Sequence, residues 1–261
     1  MEKAVRVRKS DDIAVVSLNK PKAYNSFDLD MVWLLAETLV ELALNPDVVG
    51  VVISGEGKAF CAGGDLRWIK GYGENHAAAF HELAARYHQA IVEIRRMPKP
   101  VVAAINGLCA GGGFSMALAC DFRIMEASAV LRQAYTSNGL SIDGGGTFTL
   151  PRLVGLARAL EIAAFDPPID VKKAHSWGLV TEVVENGESV KRAIELVQEM
   201  KKTSLSSFAA TKKLLTDSFN TGFEAHLEKE RELLSWCADQ PNGREGIAAF
   251  LEKRKPVFNR S

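Results

Sequence analysis

A chain of 261 residues that is 47% hydrophobic and 25% charged can bury a substantial core, which excludes a disordered segment. Lys plus Arg equals Asp plus Glu at 32 each, so no net positive charge draws the molecule to nucleic acid or to an anionic membrane. Cys61, Cys109, Cys120 and Cys237 form no CxxC pair and no Cys/His cluster with zinc-ligand spacing; they read as buried free thiols of a reducing, cytoplasmic compartment, and no metal is expected.

The opening stretch MEKAVRVRKSDD lacks the apolar run that a signal peptide needs. Further on, IAVVSL (13–18), VVGVVIS (48–54) and VVAAI (101–105) are β-branched apolar runs that predict buried strands, with helical patterns over 28–44 and 76–96 between them. Such alternation predicts βα crossovers and a mostly parallel sheet, hence an α/β fold. VVAAINGLCAGGGFSMALAC (101–120) has the length of a membrane span, yet Asn106, its four glycines and the following Asp121 favour a buried strand, a glycine loop and a core helix. After about residue 155 the pattern turns helical, at roughly 170–177, 187–202, 205–219, 223–238 and 243–254, with LVTEVV (179–184) the one strand-like run. Asp166-Pro167-Pro168 and Asn242-Gly243 read as turns rather than domain boundaries. Phe223, Leu227, Leu233, Leu234 and Phe250 give this tail an apolar stripe that serves equally to cover its own core or a neighbouring subunit.

Chemistry concentrates in glycine-rich loops. GKAFCAGGDL (57–66) and INGLCAGGGFSMALACD (105–121) each follow an apolar strand, and glycine turns entering a helix leave backbone N–H groups free beside a ligand. Two such turns can aim two donors at one oxygen. Neither matches GxGxxG or GxxxxGK[ST], so a phosphate cradle is not indicated. A third stretch, GLSIDGGGTF (139–148), sets Asp143 in front of three glycines, as a turn residue or as an acid/base held against a substrate. His76, His81 and His88 share one helical stretch, but not at the i, i+4 spacing of a metal pair. Trp33, Trp68, Trp177 and Trp236 read as packing residues, with Trp68 also a candidate substrate contact.

LNKPKAYNSFD, KAFCAGGDL, KPVVAAINGLCAGGGFSMALACDFRI, LPRLVG, AHSWGLV and REGIAAFLEKRKPVF resemble, in order and spacing, the enoyl-CoA hydratase/isomerase (crotonase) family over essentially the whole chain. The resemblance implies an α/β crotonase (ClpP/crotonase-like) fold of repeated ββα units. Its core, over 1–195, would hold an acyl-CoA site; a C-terminal helical region, over 196–261, would build a homotrimer or a dimer of trimers and cover that site. Coenzyme A would be part of the substrate, with no further cofactor and neither membrane nor nucleic acid as partner. The thioester oxygen would accept from the N–H groups of Gly64 and Gly112, preorganised donors worth about 3–4 kcal/mol each. By the same resemblance Lys22, Ala23, Ala62, Asp65, Leu66, Arg67 and Trp68 would line the CoA path, with Phe114, Ser115 and His88 as further substrate contacts. Lys22 and Arg67 read equally as solvated surface charges.

The departures from the family decide the reaction. Its hydratases deliver water with two glutamates, and those positions here hold Ser115 and Tyr135. Asp143, eight residues past Tyr135, stands where epoxyphenylacetyl-CoA isomerases and some enoyl-CoA isomerases carry an Asp before glycines. One carboxylate suffices for a proton shuttle, because a polarised thioester acidifies Cα and, through conjugation, Cγ. An apolar wall of Ile142, Phe148 and Phe114 is expected to desolvate Asp143 and raise its pKa. Alternatives stay open. Hydration is one; another follows chlorobenzoyl-CoA dehalogenases, with Asp143 as nucleophile, His88 in YHQAI and Tyr135 in place of a tryptophan. On an amphipathic helix His88 is more often a packed or half-exposed residue than a catalyst. GFSMA around Ser115 only loosely copies a nucleophile elbow, with His175 and His226 as candidate bases; a non-catalytic CoA-binding protein is the remaining alternative. The favoured reading is an acyl-CoA isomerase in fatty-acid or aromatic-acid metabolism, with the acyl group unspecified.

Overall fold

The computed structural model describes residues 3–259. The chain opens with a hairpin of β1 (Val5–Ser10) and β2 (Ile13–Leu18), followed by α1 (Leu29–Leu44). Three strand–strand–helix units come next. They are β3 (Gly50–Gly55), β4 (Ala59–Cys61), α2 (Leu66–Lys70) and α3 (His76–Arg96); β5 (Val101–Ile105), β6 (Leu108–Ala110) and α4 (Gly112–Ala119); and β7 (Phe122–Glu126), β8 (Val130–Arg132) and α5 (Gly146–Phe165). After α6 (Val171–Ser176) and β9 (Glu182–Val184) the chain ends in helices α7 (Ser189–Met200), α8 (Leu205–Asp217), α9 (Phe223–Asp239) and α10 (Pro241–Leu251).

The first strand of each unit joins a six-stranded sheet, β1-β2-β3-β5-β7-β9, and the second joins a smaller sheet, β4-β6-β8. Every pairing except β1–β2 is parallel. The larger sheet is covered on both faces, as its continuous apolar strands require. Val16, Val51, Ile53, Ala103 and Ile105 face the main core with Leu35 and Leu39 of α1 and Ile91 and Ile94 of α3. The alternate residues Val15, Val52, Val102 and Ala104 pack with Ala193 and Val197 of α7. Burying each Val or Ile contributes about 1.5–3 kcal/mol.

The expected strands and helices up to residue 105 are present, as is the glycine loop and core helix at α4, but several elements escaped the pattern. β1 exposes Arg6, Arg8 and Lys9 on a sheet edge, so it carries no apolar run. β4, β6 and β8 have three residues each, too few for a period. β7 buries Arg123 and Glu126, each satisfied: Arg123 donates to the carbonyls of Leu179 (2.7 Å) and Cys120 (2.6 Å), and Glu126 accepts from the Ser189 hydroxyl at 2.7 Å. α5 was not anticipated because Pro151 and Gly155 (φ 77°) break its pattern and kink it. Asn242-Gly243, expected as a turn, lies inside the first turn of α10 behind Pro241 at its start. The strand expected over 179–184 contracts to Glu182–Val184.

Cys61, Cys109 and Cys120 are buried, and burial pushes the thiols of Cys61 and Cys120 up to about 12, which leaves them unreactive. Cys237 is half-buried, contrary to expectation, because it lies on α9, a helix with no buried residue. Trp33 and Trp236 are likewise about half exposed rather than packed. No helix of the described residues is long and apolar enough to cross a membrane.

A buried ion pair helps fasten the tail to the core. Lys212 of α8 is buried and donates to Asp121 Oδ2 (2.8 Å) and to the carbonyls of Ile94 (3.0 Å) and Lys99 (3.2 Å), while Asp121 also accepts from the Val101 N–H at 2.8 Å. Burial raises the Asp121 pKa, and Lys212 opposes that rise. In a Lys212→Met variant burial keeps raising it, opposed only by the Val101 N–H and the charge of Arg123. Below about pH 4 the carboxyl is neutral in both folded and unfolded chains and costs little. As pH rises, the unfolded chain releases the proton and the folded one resists, so stability falls. We predict a deficit of about 3–5 kcal/mol at pH 7 that shrinks towards pH 4, measured by urea unfolding; a pH-independent deficit would contradict this account.

Candidate active site

β4 and β6 are parallel neighbours, so the loops that follow them lie side by side. They meet backbone to backbone. A Cβ on Gly63 (φ 89°) would stand 3.0 Å from the Gly112 nitrogen, and one on Gly113 would stand 2.3 Å from the Cys61 carbonyl oxygen. No side chain fits either position. Gly112 is the first residue of α4, where an N–H has no partner within the helix. On the other loop, the Phe27 N–H donates to the Gly63 carbonyl (2.7 Å) and the Asp65 N–H to the Phe27 carbonyl (2.8 Å), which leaves the Gly64 N–H on the opposite edge. Among the described residues, neither the Gly64 nor the Gly112 N–H donates to a protein acceptor.

Both glycines line a cavity of about 340 Å³. Its apolar walls include Phe27, Phe80, Leu83, Tyr87, Leu140 and Ile142, and its polar lining side chains are His81, Tyr135, Ser141 and Asp143. Asp143 is its one lining carboxylate among the described residues. Two of the three glycines after Asp143 have a steric cause, and Gly145 a positive φ of 74°. A Cβ on Gly144 (φ 62°) would sit 2.4 Å from the Tyr87 ring, and one on Gly146 would sit 2.6 Å from both Ile142 and the Ser115 hydroxyl. The chain is cleared of side chains so that Asp143 can come down beside Tyr87.

Two groups flank the carboxylate. His88 Nε2 lies 2.5 Å from Asp143 Oδ1. Tyr135 is raised above an ordinary phenol chiefly by burial and then by the negative charge of Asp143, against hydrogen bonds from the Ser115 hydroxyl and the Asp143 N–H. It therefore stays a neutral donor. The loop carrying Tyr135 is anchored by buried Asp166, which accepts from the Ala134 N–H (2.8 Å) and from the Ser137 hydroxyl and forms an ion pair with Arg132 (Nε at 3.3 Å).

Several expectations need correction. Phe114 and Ser115 do not line the cavity: α4 is buried on every side, and Ser115 lies beneath Gly146 against Tyr135. Phe148 is turned away, between Arg95 (5.1 Å) and Arg152 (3.5 Å). The apolar wall beside Asp143 is instead Ile142, Leu140 and Tyr87, and the Asp143 side chain is 37% exposed rather than desolvated because it sits at the mouth beside His88. His88 approaches from outside, on an outer groove between α1 and α3 that it shares with Trp33. Its pairing with Asp143 makes it more than a surface residue. His226 pairs with Glu230 at 3.5 Å on α9, so it does not serve Ser115 as a base.

Of the other candidates only Gly64 lines the cavity. Lys22 is exposed and Ala23 half-buried on a loop whose Tyr24 carbonyl accepts from the Ala62 N–H at 3.0 Å. Asp65 caps α2 through the Arg67 N–H (2.9 Å), Leu66 and Arg67 are exposed, and Trp68 packs on Tyr72 with ring centroids 4.9 Å apart. The Lys22–Ala23 loop is thus joined to the chain just before Gly64, and the Asp65–Trp68 segment follows directly after it. Phe27, Phe80, Leu83 and Tyr87 were missed as lining residues; the last three share one face of α3 at i, i+3 and i+7, a signal that reads as core.

Comparison with known proteins supplies the wider setting. The family model for "Enoyl-CoA hydratase/isomerase" matches residues 8–261. A "1,2-epoxyphenylacetyl-CoA isomerase" of Escherichia coli K12 is 30% identical over 94% of both chains. A "Probable enoyl-CoA hydratase" of Rhodobacter capsulatus is 34% identical over 97% of both. Among solved structures, an enoyl-CoA hydratase from Polaromonas sp. JS666 superposes with a TM-score of 0.92 at 32% identity, covering 98% of this chain and 99% of its own.

Removing the anchor beneath Tyr135 should be felt in stability. Asp166→Ala leaves the Ala134 N–H and the Ser137 hydroxyl without their acceptor, and we predict a loss of about 1–3 kcal/mol in chemical unfolding. An unchanged midpoint would mean that water replaces Asp166 at no cost.

Proposed function

The chain belongs to the enoyl-CoA hydratase/isomerase (crotonase) family, and on that premise we propose that it isomerises an acyl-CoA thioester through its enolate, with Asp143 as the proton shuttle. One observation carries this reading: two free N–H groups, on Gly64 and Gly112, and a single carboxylate open onto the same cavity. The thioester oxygen accepts from both N–H groups, in a site where preorganised donors favour developing negative charge. Asp143 removes a proton from one carbon, the C–H electrons pass into the enolate, and the same carboxyl returns the proton to another carbon. Hydrogen bonding of His88 to Oδ1 leaves Oδ2 for the proton, and the neutral Tyr135 phenol stands ready to donate to substrate. Hydration needs a second acid/base to activate water, and Ser115 and Tyr135 are poor substitutes for the paired glutamates.

The CoA moiety runs on the Gly64 side, past the Lys22–Ala23 loop, Ala62 and the Asp65–Trp68 segment. Exposed Phe223, Leu234 and Phe250 support the tail over 196–261 as the surface that builds a homotrimer or a dimer of trimers. Buried free thiols support the cytoplasm as the compartment. A second reading draws on the contact between His88 and Asp143, which suits a carboxylate nucleophile with a neighbouring base. In it Asp143 displaces halide from a ring carbon, and water activated by His88 then releases the product.

In deuterated water, with a panel of 3-enoyl, 2-enoyl and ring-bearing acyl-CoAs, the wild type should incorporate deuterium at Cα or Cγ or move a double bond. Asp143→Asn should lose this by about a hundredfold or more. A mass gain of one water would establish hydration instead, and 18O from labelled water appearing in Asp143 after a single turnover would establish the nucleophile reading.

A further inference from the structure

Two of the three site loops touch one residue that the mechanism above does not use, and the third is joined to it through Phe27. Tyr87 is buried on α3, and its hydroxyl donates to the carbonyl of Gly112. Its ring packs on Phe27, centroids 4.9 Å apart, and Phe27 is laced to Gly63 and Asp65 on either side of Gly64. The edge of the same ring fills the space that a side chain on Gly144 would need, directly after Asp143. A side chain that served only to fill the core would not require a glycine with φ 62° beside it and a hydroxyl bonded to the backbone of the donor loop.

We propose that Tyr87 is the positioning residue of this site, setting the Gly112 donor relative to Gly64 and to the Asp143 carboxylate. The inference rests on the thioester–enolate reading. The hydrogen bond holds the Gly112 residue at the start of α4, so its N–H keeps one direction, while the ring sets the spacing between the loops. Tyr87 touches no reacting atom in this scheme; it acts through the groups that do.

Phenylacetyl-CoA carrying 13C at the thioester carbonyl, bound at saturation, reports this directly through the downshift of its carbonyl stretch. Tyr87→Phe keeps the ring and deletes only the donor. We expect about half of the wild-type downshift, and a fall of about tenfold in kcat for α-proton exchange with KM changed less than about threefold. Gly144→Ala, which presses the ring from the other side, should reduce the downshift as well, and the double variant should be less impaired than the two effects added. A Tyr87→Phe protein with lowered Tm but a wild-type downshift and kcat would overturn the proposal, leaving Tyr87 as core. No downshift in the wild type would remove the thioester grip itself, and the proposal with it. A downshift unchanged in Asp143→Asn together with full exchange would sink the shuttle assignment alone.

Discussion

The contact between the Gly63–Gly64 loop and the Gly111–Gly113 loop is made of backbone alone, and everything useful in the site depends on that. Parallel pairing of β4 with β6 sets the two loops at one end of the small sheet. A side chain on Gly63 or Gly113 would meet main-chain atoms of the opposing loop, which cannot yield as a flexible side chain can. With side chains excluded, two N–H groups from segments almost fifty residues apart open onto one cavity. In the proposed reaction these donors are fixed before a substrate arrives, so little reorganisation is needed when charge develops on the thioester oxygen.

Around this rigid pair the polar groups are few and distinct in character. Tyr135 is buried enough to stay protonated, whereas Asp143 stands at the mouth with His88 on its outer oxygen. A single carboxylate between a neutral phenol and an imidazole can carry a proton, yet it has no carboxylate partner with which to split water. The same sparseness separates this chain from the two-glutamate pattern of the hydratases. On the proposed reading, proton traffic between carbons of the acyl group needs less machinery than addition of water, and one carboxylate is enough for it.

How much of this was legible in the sequence follows from what each signal encodes. β2, β3 and β5 were readable because both faces of the large sheet are covered and their runs are continuously apolar. Asp143 and the glycine loops stood out because clearing the backbone of side chains leaves a visible mark. β4, β6 and β8, at three residues each, leave none, although they align the loops. α5 was hidden by Pro151 and Gly155. The pairing of His88 with Asp143 spans 55 residues, and no local period records it. Tyr87 fell on the apolar face of α3 and looked like core; only the fold shows its hydroxyl on Gly112 and its ring against Gly144.

The most direct measurement is a crystal structure with a non-reacting acyl-CoA thioether or amide analogue bound at saturation. An amide analogue is preferable because it keeps the carbonyl. The account predicts its oxygen at about 2.7–3.2 Å from both the Gly64 and Gly112 nitrogens, and Asp143 within about 3.5 Å of Cα or Cγ. A carbonyl bonded to neither nitrogen, or an Asp143 carboxylate turned away to His88 with no acyl carbon in reach, would contradict it.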